Sequence, residues 1–362
     1  MPGASALPRA AAPPALAAAV IAWQRVHGRH DLPWQRSREP YRVWVAEIML
    51  QQTQVATVVG YYARFVERLP DLPALAAAPL DEVLALWSGL GYYSRARHLH
   101  RCAQVVMAAH GGHLPRDSAT LATLPGIGRS TAAAIAAFCH GERAAILDGN
   151  VKRVLTRALG LGADLAAASA ERALWQHAQA LLPARDVDVY TQGLMDLGAT
   201  VCTRHAPRCA ACPLAAACVA RAEGRPEHYP LRTRRSRRGR RSHALLWLRQ
   251  GPRVWLVQRP PSGVWAALWS LPEFDGADAL AALVAAWPGR GVWLDPIAHA
   301  LTHFDWQLQP LRYTLPARLA AARSAAIEQA LHAAAGAGRW VDHADALALG
   351  LPAPVRRLLA AG

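Results

Sequence analysis

The chain has 362 residues, 53% of them hydrophobic, which is material for about two or three separate cores. Its 40 Lys and Arg against 25 Asp and Glu give a formal charge of +15, which indicates an anionic polymer as partner. Lys152 is the only lysine, so Schiff-base chemistry has almost no candidates. An apolar N-terminal stretch is interrupted by Pro13 and Pro14 before a signal-peptide core forms, and no run is long enough to span a bilayer.

Helices separated by Gly and Pro are predicted from about Pro14 to Cys218. From Arg42 onward, one buried helical stripe is predicted, with apolar residues at steps of three, four and seven: Trp44, Ile48, Val55, Val59, Tyr62, Val66 and Leu69. Beside it, Glu47, Gln51 and Gln54 form a polar ridge that could face a cleft. Further helices are predicted over residues 81–87, 94–109, 128–139, 149–159 and 171–182.

After the helices comes a segment too rich in arginine to form a core, which predicts an interdomain linker over residues 223–242. Strands are then predicted over residues 244–248, 254–258, 300–307 and 311–315, and helices over 277–286 and 324–335. The predicted fold class is multidomain: an all-α domain over residues 14–222, followed by a smaller α+β domain over 243–362.

Two glycines, Gly126 and Gly128, stand just before an Ala-rich helix in the segment Leu124–Ala132. In a helix-hairpin-helix element such glycines let the backbone approach DNA, so that amides at the helix start, including that of Ser130, can meet a phosphate. An ordinary helix–helix turn would show the same glycines. The acidic Asp148, twenty residues beyond Gly128, favours the DNA-binding interpretation.

Four of the six cysteines lie within seventeen residues, which indicates a metal site in a reduced, cytosolic protein rather than a disulfide scaffold. They are Cys202, Cys209, Cys212 and Cys218. Zinc ribbons usually show two separated Cys-x2-Cys pairs, whereas only one is present here, so a [4Fe–4S] cluster is the better match. Cys102 and Cys139 lie in helical stretches and are predicted to be core residues.

The first 220 residues resemble the helix-hairpin-helix DNA glycosylases with an iron–sulfur loop, and in particular the MutY-type adenine DNA glycosylases. The resemblance rests on Leu32-Pro-Trp34, Val45–Val55, Gly89–Arg95, the hairpin, Asp148-Gly-Asn150 and the cysteine loop. It implies excision of adenine mispaired with 8-oxoguanine or guanine, after the base has been flipped out of the duplex.

The resemblance also implies the roles of individual residues. Glu47 would protonate the departing adenine as a general acid, which requires a raised carboxyl pKa. Asp148 would stay ionised and stabilise the positive charge that develops on the sugar. Asn150 would orient Asp148 or the attacking water. A surface glutamate and a helix N-cap are the ordinary alternatives for the two acids, and N-capping is compatible with catalysis.

Further contacts with DNA are implied by the same resemblance. Gln52 and Tyr92 would wedge into the base stack, while Leu32, Trp34 and Gln192 would line the adenine pocket. At the hairpin position of Ser130, the related endonuclease III group carries the lysine that attacks the sugar. The absence of that amine predicts no efficient strand cleavage.

The C-terminal domain resembles the Nudix-like module with which this family reads 8-oxoguanine. The matching segments are Gln258–Gly263, Leu268–Glu273 and Leu301–Phe304. Thr302 and His303 would bind the oxidised base, whereas Leu301 replaces an aromatic residue common in the family. The helix after Gly276 lacks the acidic pairs that hold magnesium in Nudix hydrolases, so recognition without hydrolysis is expected.

Two other functions remain open at this point. An endonuclease III-like glycosylase and lyase acting on oxidised pyrimidines is disfavoured by Ser130 and by the extra domain. A non-catalytic iron–sulfur DNA-binding protein is disfavoured by Glu47 and Asp148. We expect a monomer in the bacterial cytosol or nucleoid that acts on double-stranded DNA containing adenine mispairs.

Overall fold

The computed structural model describes residues 13–231 and 238–362. The chain divides into two compact units, one comprising residues 1–76 and 101–235 and the other residues 77–100 and 236–362. Residues 1–12 of the N-terminal stretch and residues 232–237 of the predicted linker lie outside the described residues.

In the first unit, every regular element among the described residues is helical. The α-helices are α1 Pro13–His27, α2 Pro40–Leu50, α3 Val55–Arg68, α4 Leu72–Ala77, the greater part of α6 Ser94–Ala109, α7 Ser118–Leu121, α8 Arg129–His140, α9 Gly149–Leu159, α10 Ala168–Ala180, α11 Val187–Thr200 and α12 Val219–Ala222. Short 3₁₀ helices cover Pro33–Arg36, Cys209–Ala211, Ala215–Ala217 and Pro226–His228. The helices predicted over residues 94–109 and 149–159 have the predicted bounds.

The main core of this unit forms where α11 packs against α1 and α9. Val151, Val154 and Leu155 of α9 are buried together with Leu194 and Leu197 of α11. Burying one such side chain contributes about 1.5–3 kcal/mol, so this apolar face fixes the helix firmly. The start of α9, which follows Asp148, is thereby held at a defined place.

A glycine allows the close approach of α11 to the start of α9. A Cβ atom added at Gly198 would lie 2.6 Å from the Cβ of Asn150, which real structures do not tolerate. The packing next to Asp148 therefore depends on the missing side chain of Gly198.

The prediction of a single helix from Arg42 to Leu69 is wrong. α2 ends at Leu50, Gln51 is its C-cap, and α3 starts only after Gln54. Gln52 adopts a φ of 57°, a left-handed conformation that interrupts the helical hydrogen bonds although no Gly or Pro is present. The predicted ridge of Glu47, Gln51 and Gln54 is therefore not one helix face. The buried residues of α3 are Val58, Tyr62 and Phe65, followed by Leu69.

The second unit contains residues 77–100 together with an α+β region. Its helices are α5 Leu80–Trp87, the first turns of α6, α13 Ala277–Val284, α14 Ala321–Ala335, α15 His343–Ala348 and α16 Ala353–Ala360. Its strands are β1 Gly239–Gln250, β2 Arg253–Gln258, β3 Trp269–Ser270, β4 Glu273–Phe274, β5 Arg290–Trp293, β6 Ile297–Ala300, β7 Phe304–Leu315 and β8 Gly338–Asp342. The predicted succession of an all-α region and an α+β region is confirmed.

One sheet, with strand order β3-β2-β1-β7-β5, organises this unit. β1 and β7 run parallel along their whole length, from Gly239 opposite Phe304 to Gln250 opposite Leu315. β6 is antiparallel to β7, β4 pairs with β1, and β8 pairs with β2. The parallel central pair explains why its inner residues, such as Leu245 and Leu246, form a continuous apolar run.

The strand predictions of the C-terminal region need two corrections. The prediction of two strands over residues 300–307 and 311–315 is wrong. In the structure β6 ends at Ala300, and β7 runs without a break from Phe304 to Leu315. Thr302 and His303 therefore lie in the bend of the β6–β7 hairpin and not in a strand. The second correction concerns the C-terminal end of the predicted linker, where Gly239–Ser242 already form the exposed start of β1.

Of the helices that the structure describes, none combines the length and the apolar character that a bilayer crossing requires.

Candidate active site

Glu47 lies near the end of α2, a helix whose start is well fixed. The Glu39 carboxylate accepts hydrogen bonds from the backbone N–H groups of Tyr41 and Arg42, both at 2.9 Å, and Pro40 occupies the first helical position. The neighbours of Glu47 along the helix, Ala46 and Ile48, are buried. The acid thus stands on a rigid, largely apolar helix.

Burial, together with the smaller effect of the negative charge of Asp148, raises the pKa of Glu47 from 4.5 to about 8. The Glu47 side chain keeps some solvent-exposed surface, but its carboxyl group stands in dense surroundings. A carboxyl group with this pKa carries its proton at neutral pH and can donate it. The effect of Asp148 on Glu47 also indicates that the structure brings the two acids near each other.

Asp148 is the N-cap of α9, as the sequence allowed. Its Oδ1 accepts a hydrogen bond of 2.7 Å from the backbone N–H of Val151. Burial raises its pKa, whereas the amides of Val151 and Asn150 and the positive charges of Arg153 and Lys152 lower it. Among the described residues, the groups that act on the pKa of Glu47 both raise it. The two carboxyl groups therefore have different environments, and Asp148 is the one with neighbours that favour its anion, although burial still raises its pKa overall.

Asn150 is held by Arg153, one turn further along α9. Arg153 donates through Nη2 to the Asn150 Oδ1 at 2.8 Å and to the carbonyl oxygen of Gly198 at 2.6 Å, and through Nε to the carbonyl oxygen of Cys202 at 2.7 Å. The Asn150 Nδ2 group therefore points away from Arg153. No sequence motif singled out Arg153.

The hairpin has the geometry that its glycines suggested. Gly126 adopts a φ of 78°, and Gly128 is the N-cap of α8. The Ser130 hydroxyl accepts a hydrogen bond of 2.9 Å from the backbone N–H of Leu147. Ser130, which was predicted only as a DNA contact, thus also supports the segment that leads into Asp148.

Leu32 and Trp34 lie at a 3₁₀ turn in the first unit. Leu32 precedes the 3₁₀ helix Pro33–Arg36 and is half-buried. Trp34 is buried and packs edge-to-face on Tyr62 with 5.4 Å between ring centroids. This packing gives Trp34 a rigid position, and the half-buried Leu32 is the more accessible of the two.

Gln192 belongs to a buried polar cluster that the sequence did not reveal. Its Nε2 donates to the Oδ1 of Asp196 at 2.9 Å, one turn further along α11. Asp196 is fully buried and also binds the backbone N–H and the guanidinium of Arg29. The spacing of Gln192 and Asp196 at i and i+4 was the available signal.

The two predicted wedge residues share an unusual backbone conformation, one in each unit. Gln52 has a φ of 57° and Tyr92 a φ of 49°, and both side chains are exposed. Non-glycine residues in this region carry strain, which is often retained at functional sites.

Within the second unit, Tyr92 and Thr302 meet although they are 210 positions apart. The Tyr92 hydroxyl and the Thr302 Oγ1 form a hydrogen bond of 3.4 Å. The hairpin bend that carries Thr302 and His303 is anchored by two backbone hydrogen bonds, one from Leu301 N–H to the Phe304 oxygen at 2.9 Å and one from Gly239 N–H to the His303 oxygen at 3.1 Å. A predicted wedge residue and a predicted reader of the oxidised base thus lie together.

The four clustered cysteines line one pocket of the first unit. Its walls comprise Cys202, Cys209, Cys212 and Cys218 with Arg157, Val201, Pro207, Ala215, Arg221 and Pro226. Arg157 is buried at the last turn of α9 and donates to the Cys202 Sγ at 3.3 Å and to the carbonyl oxygen of Thr203 at 2.7 Å. An arginine beside a thiolate compensates its charge.

This donor set fits a four-iron cluster by its chemistry. Among the described residues, no group of three His, Cys, Asp or Glu is arranged to hold a single metal ion. In a [4Fe–4S] cluster each thiolate binds a different iron, so the four sulfurs surround a larger group than one ion. Four thiols around one pocket meet that requirement.

Comparisons with known proteins agree with this geometry. Residues 45–180 match the family model described as HhH-GPD superfamily base excision DNA repair protein, and residues 243–361 match the NUDIX domain model. The adenine DNA glycosylase of Buchnera aphidicola (Acyrthosiphon pisum, strain APS) is 35% identical over 300 residues, covering 82% of this chain and 86% of that protein. The human adenine DNA glycosylase is 39% identical, covering 68% and 55%.

Among solved structures, a thermostable thymine-DNA glycosylase is similar to the chain with a TM-score of 0.51 and 29% identity, covering 57% of this chain and 94% of that one. The resemblance inferred from the sequence is therefore confirmed. The chain belongs to the adenine DNA glycosylase family, within the HhH-GPD superfamily of base excision DNA repair proteins.

Proposed function

We propose that the protein is a DNA glycosylase of base excision repair that removes adenine mispaired with 8-oxoguanine or guanine in double-stranded DNA. The observation that carries the proposal is the pair of acids with different environments: Glu47, whose pKa is raised to about 8, and Asp148, which caps a helix. In this proposal it acts as a monomer and is located in the cytosol, at the nucleoid. The names of its relatives support the adenine specificity.

The reaction breaks the bond between the adenine and its sugar after the base has left the stack. Leu32, Trp34 and Gln192 line the pocket that receives the flipped base. Glu47 donates its proton to a ring nitrogen of the adenine, so that the bonding electrons leave with a neutral base. The Asp148 carboxylate stabilises the positive charge on the sugar, and water, oriented by Asn150, completes the hydrolysis.

The same residues favour a monofunctional enzyme. Ser130 occupies the hairpin position of the attacking lysine in the endonuclease III group, and its hydroxyl is engaged by the Leu147 amide. The only lysine, Lys152, forms an ion pair of 2.5 Å with Glu171. Neither residue supplies a free amine to the sugar, so the DNA strand stays intact after excision.

Contacts with DNA come from both domains that we propose, residues 14–222 and 243–362, joined by the arginine-rich linker 223–242. In the first, amides of the hairpin at Gly126, Gly128 and Ser130 bind phosphate, and Gln52 enters the stack. In the second, Thr302 and His303 bind the 8-oxoguanine that faces the excised adenine. Tyr92, which belongs to the first proposed domain, wedges into the base stack next to this base, because its hydroxyl is hydrogen-bonded to Thr302.

The cysteine pocket holds a [4Fe–4S] cluster in this proposal, and the cluster stabilises the loop 202–218 that faces DNA. The purified protein should carry about four irons and four sulfides per chain. Cys202→Ala is expected to lose most of this iron and of its visible absorbance, because one thiolate ligand is missing. Cys102→Ala, which changes a buried cysteine outside the pocket, should keep both. One zinc per chain, or full iron content in Cys202→Ala, would contradict the cluster.

The pH dependence of excision follows from the two acids. Glu47 acts in its protonated form, so single-turnover excision should decline as the pH rises through about 8. Asp148 acts as an anion, so activity should also decline at acidic pH, at a value above its ordinary 3.8 because burial raises its pKa. A rate that stays constant from pH 7 to beyond 9 would be incompatible with Glu47 as the acid.

The activity itself is tested with duplexes carrying adenine opposite 8-oxoguanine, guanine or thymine, treated with and without alkali. We expect breaks at adenine in the first two duplexes, and only after alkali, because an intact abasic strand is the product. Breaks without alkali, or activity on oxidised pyrimidines only, would favour the endonuclease III-like alternative. Binding without any excision would favour a non-catalytic DNA-binding protein.

A further inference from the structure

Asp196 is a fully buried acid, and Arg29 and Gln192 donate hydrogen bonds to its two carboxylate oxygens. Its Oδ2 accepts from the backbone N–H of Arg29 at 2.9 Å. Its Oδ1 accepts from the Arg29 Nε at 2.6 Å and from the Gln192 Nε2 at 2.9 Å. The Arg29 guanidinium forms an ion pair of 2.6 Å with this carboxylate and compensates its charge.

An ionised carboxylate only accepts hydrogen bonds, and this decides the orientation of the neighbouring amide. If the Gln192 side chain were flipped, its Oε1 would face the Asp196 oxygen, and two acceptors would repel each other in a buried place. The Gln192 amide is therefore held with Nε2 toward Asp196. Its Oε1 points the other way, at the half-buried end of the side chain.

We propose that Asp196, anchored by Arg29, is a positioning residue that fixes the Gln192 amide so that the pocket presents a hydrogen-bond acceptor to the 6-amino group of adenine. This inference rests on the proposed function. A fixed acceptor favours a purine with a 6-amino donor and repels hypoxanthine, which has an oxygen at that position. A freely rotating amide would serve both bases equally.

The test compares the single-turnover rates at which adenine and hypoxanthine are released opposite 8-oxoguanine. In Asp196→Asn the new amide can itself donate to the Gln192 oxygen, so the Gln192 amide loses its fixed orientation. We expect the adenine-to-hypoxanthine rate ratio to fall by about tenfold or more. Asp186→Asn is the control: Asp186 stands just before the same helix and pairs with Arg25 at 2.9 Å, but it is exposed and is not one helical turn from Gln192, as Asp196 is.

Destabilisation alone lowers both rates together and leaves their ratio unchanged, so an unchanged ratio in a folded Asp196→Asn protein overturns the inference. If that variant does not fold, the same two rates are measured for Gln192→Leu. If the Gln192 Oε1 is held as an acceptor, Gln192→Leu should slow adenine release. It should not slow hypoxanthine release, since the repulsion between Oε1 and the hypoxanthine oxygen is removed as well. An equal loss for both bases means a rotating amide and overturns the inference. A wild-type protein that releases no adenine would instead refute the proposed function.

Discussion

Glu47→Gln is expected to slow adenine excision by about 10²- to 10⁴-fold, the usual contribution of a positioned general acid. Glutamine has nearly the same shape but cannot transfer a proton to the departing base. Because the pKa of Glu47 is about 8, the native side chain is already neutral at pH 7. The substitution therefore hardly changes the charge of the site, and binding to the mismatched duplex should persist.

The control for this loss lies on the same helix. Glu39→Gln removes a carboxylate that caps α2 and is far less buried, so it affects the start of the helix and not the chemistry. Single-turnover excision and the dissociation constant for the duplex are measured for both variants. Glu47 would not be the acid if its glutamine variant retained the wild-type rate, or if Glu39→Gln lost as much activity.

Asp148→Asn should reduce excision by about 10²- to 10³-fold, because a neutral amide cannot stabilise the positive charge on the sugar. Asparagine is as good an N-cap as aspartate, so α9 should remain capped and the melting temperature should change little. A loss of excision activity would therefore result from the missing charge and not from a frayed helix.

A second N-cap provides the comparison. The Asp117 Oδ1 accepts from the backbone N–H of Thr120 at 2.8 Å and caps α7, as Asp148 caps α9 with a bond of 2.7 Å from Val151. Asp117→Asn thus repeats the same chemical change at a cap away from Glu47. Equal rates for both variants would show that Asp148 serves only as a cap, whereas a loss confined to Asp148→Asn supports its role in the reaction.

Local signals in the sequence were sufficient for α9 and for the cysteine loop. The bounds of α9 follow from an N-capping Asp148, a strong apolar period and the terminal Gly160, all of which are short-range features. The break at Gln52 could not be predicted, because the left-handed turn occurs in a polar stretch without Gly or Pro.

Contacts between distant segments were also beyond the sequence. The hydrogen bond between Tyr92 and Thr302 joins a loop to a hairpin bend, and the sequence had suggested a strand for the latter. Asp196 has no motif, since a buried acid on a helix is recognisable only once Arg29 is seen to bind it. Both features depend on tertiary neighbours, which no local period encodes.

The separation of α2 from α3 bears on how such a protein can change during evolution. In one continuous helix, each inserted or deleted residue would rotate all later side chains by about 100° relative to Glu47. The turn at Gln51–Gln54 removes this linkage, because α2 already ends at Leu50. If the protein works as we propose, the segment after Leu50 that would contact DNA can therefore vary in length and sequence while Glu47 keeps its direction.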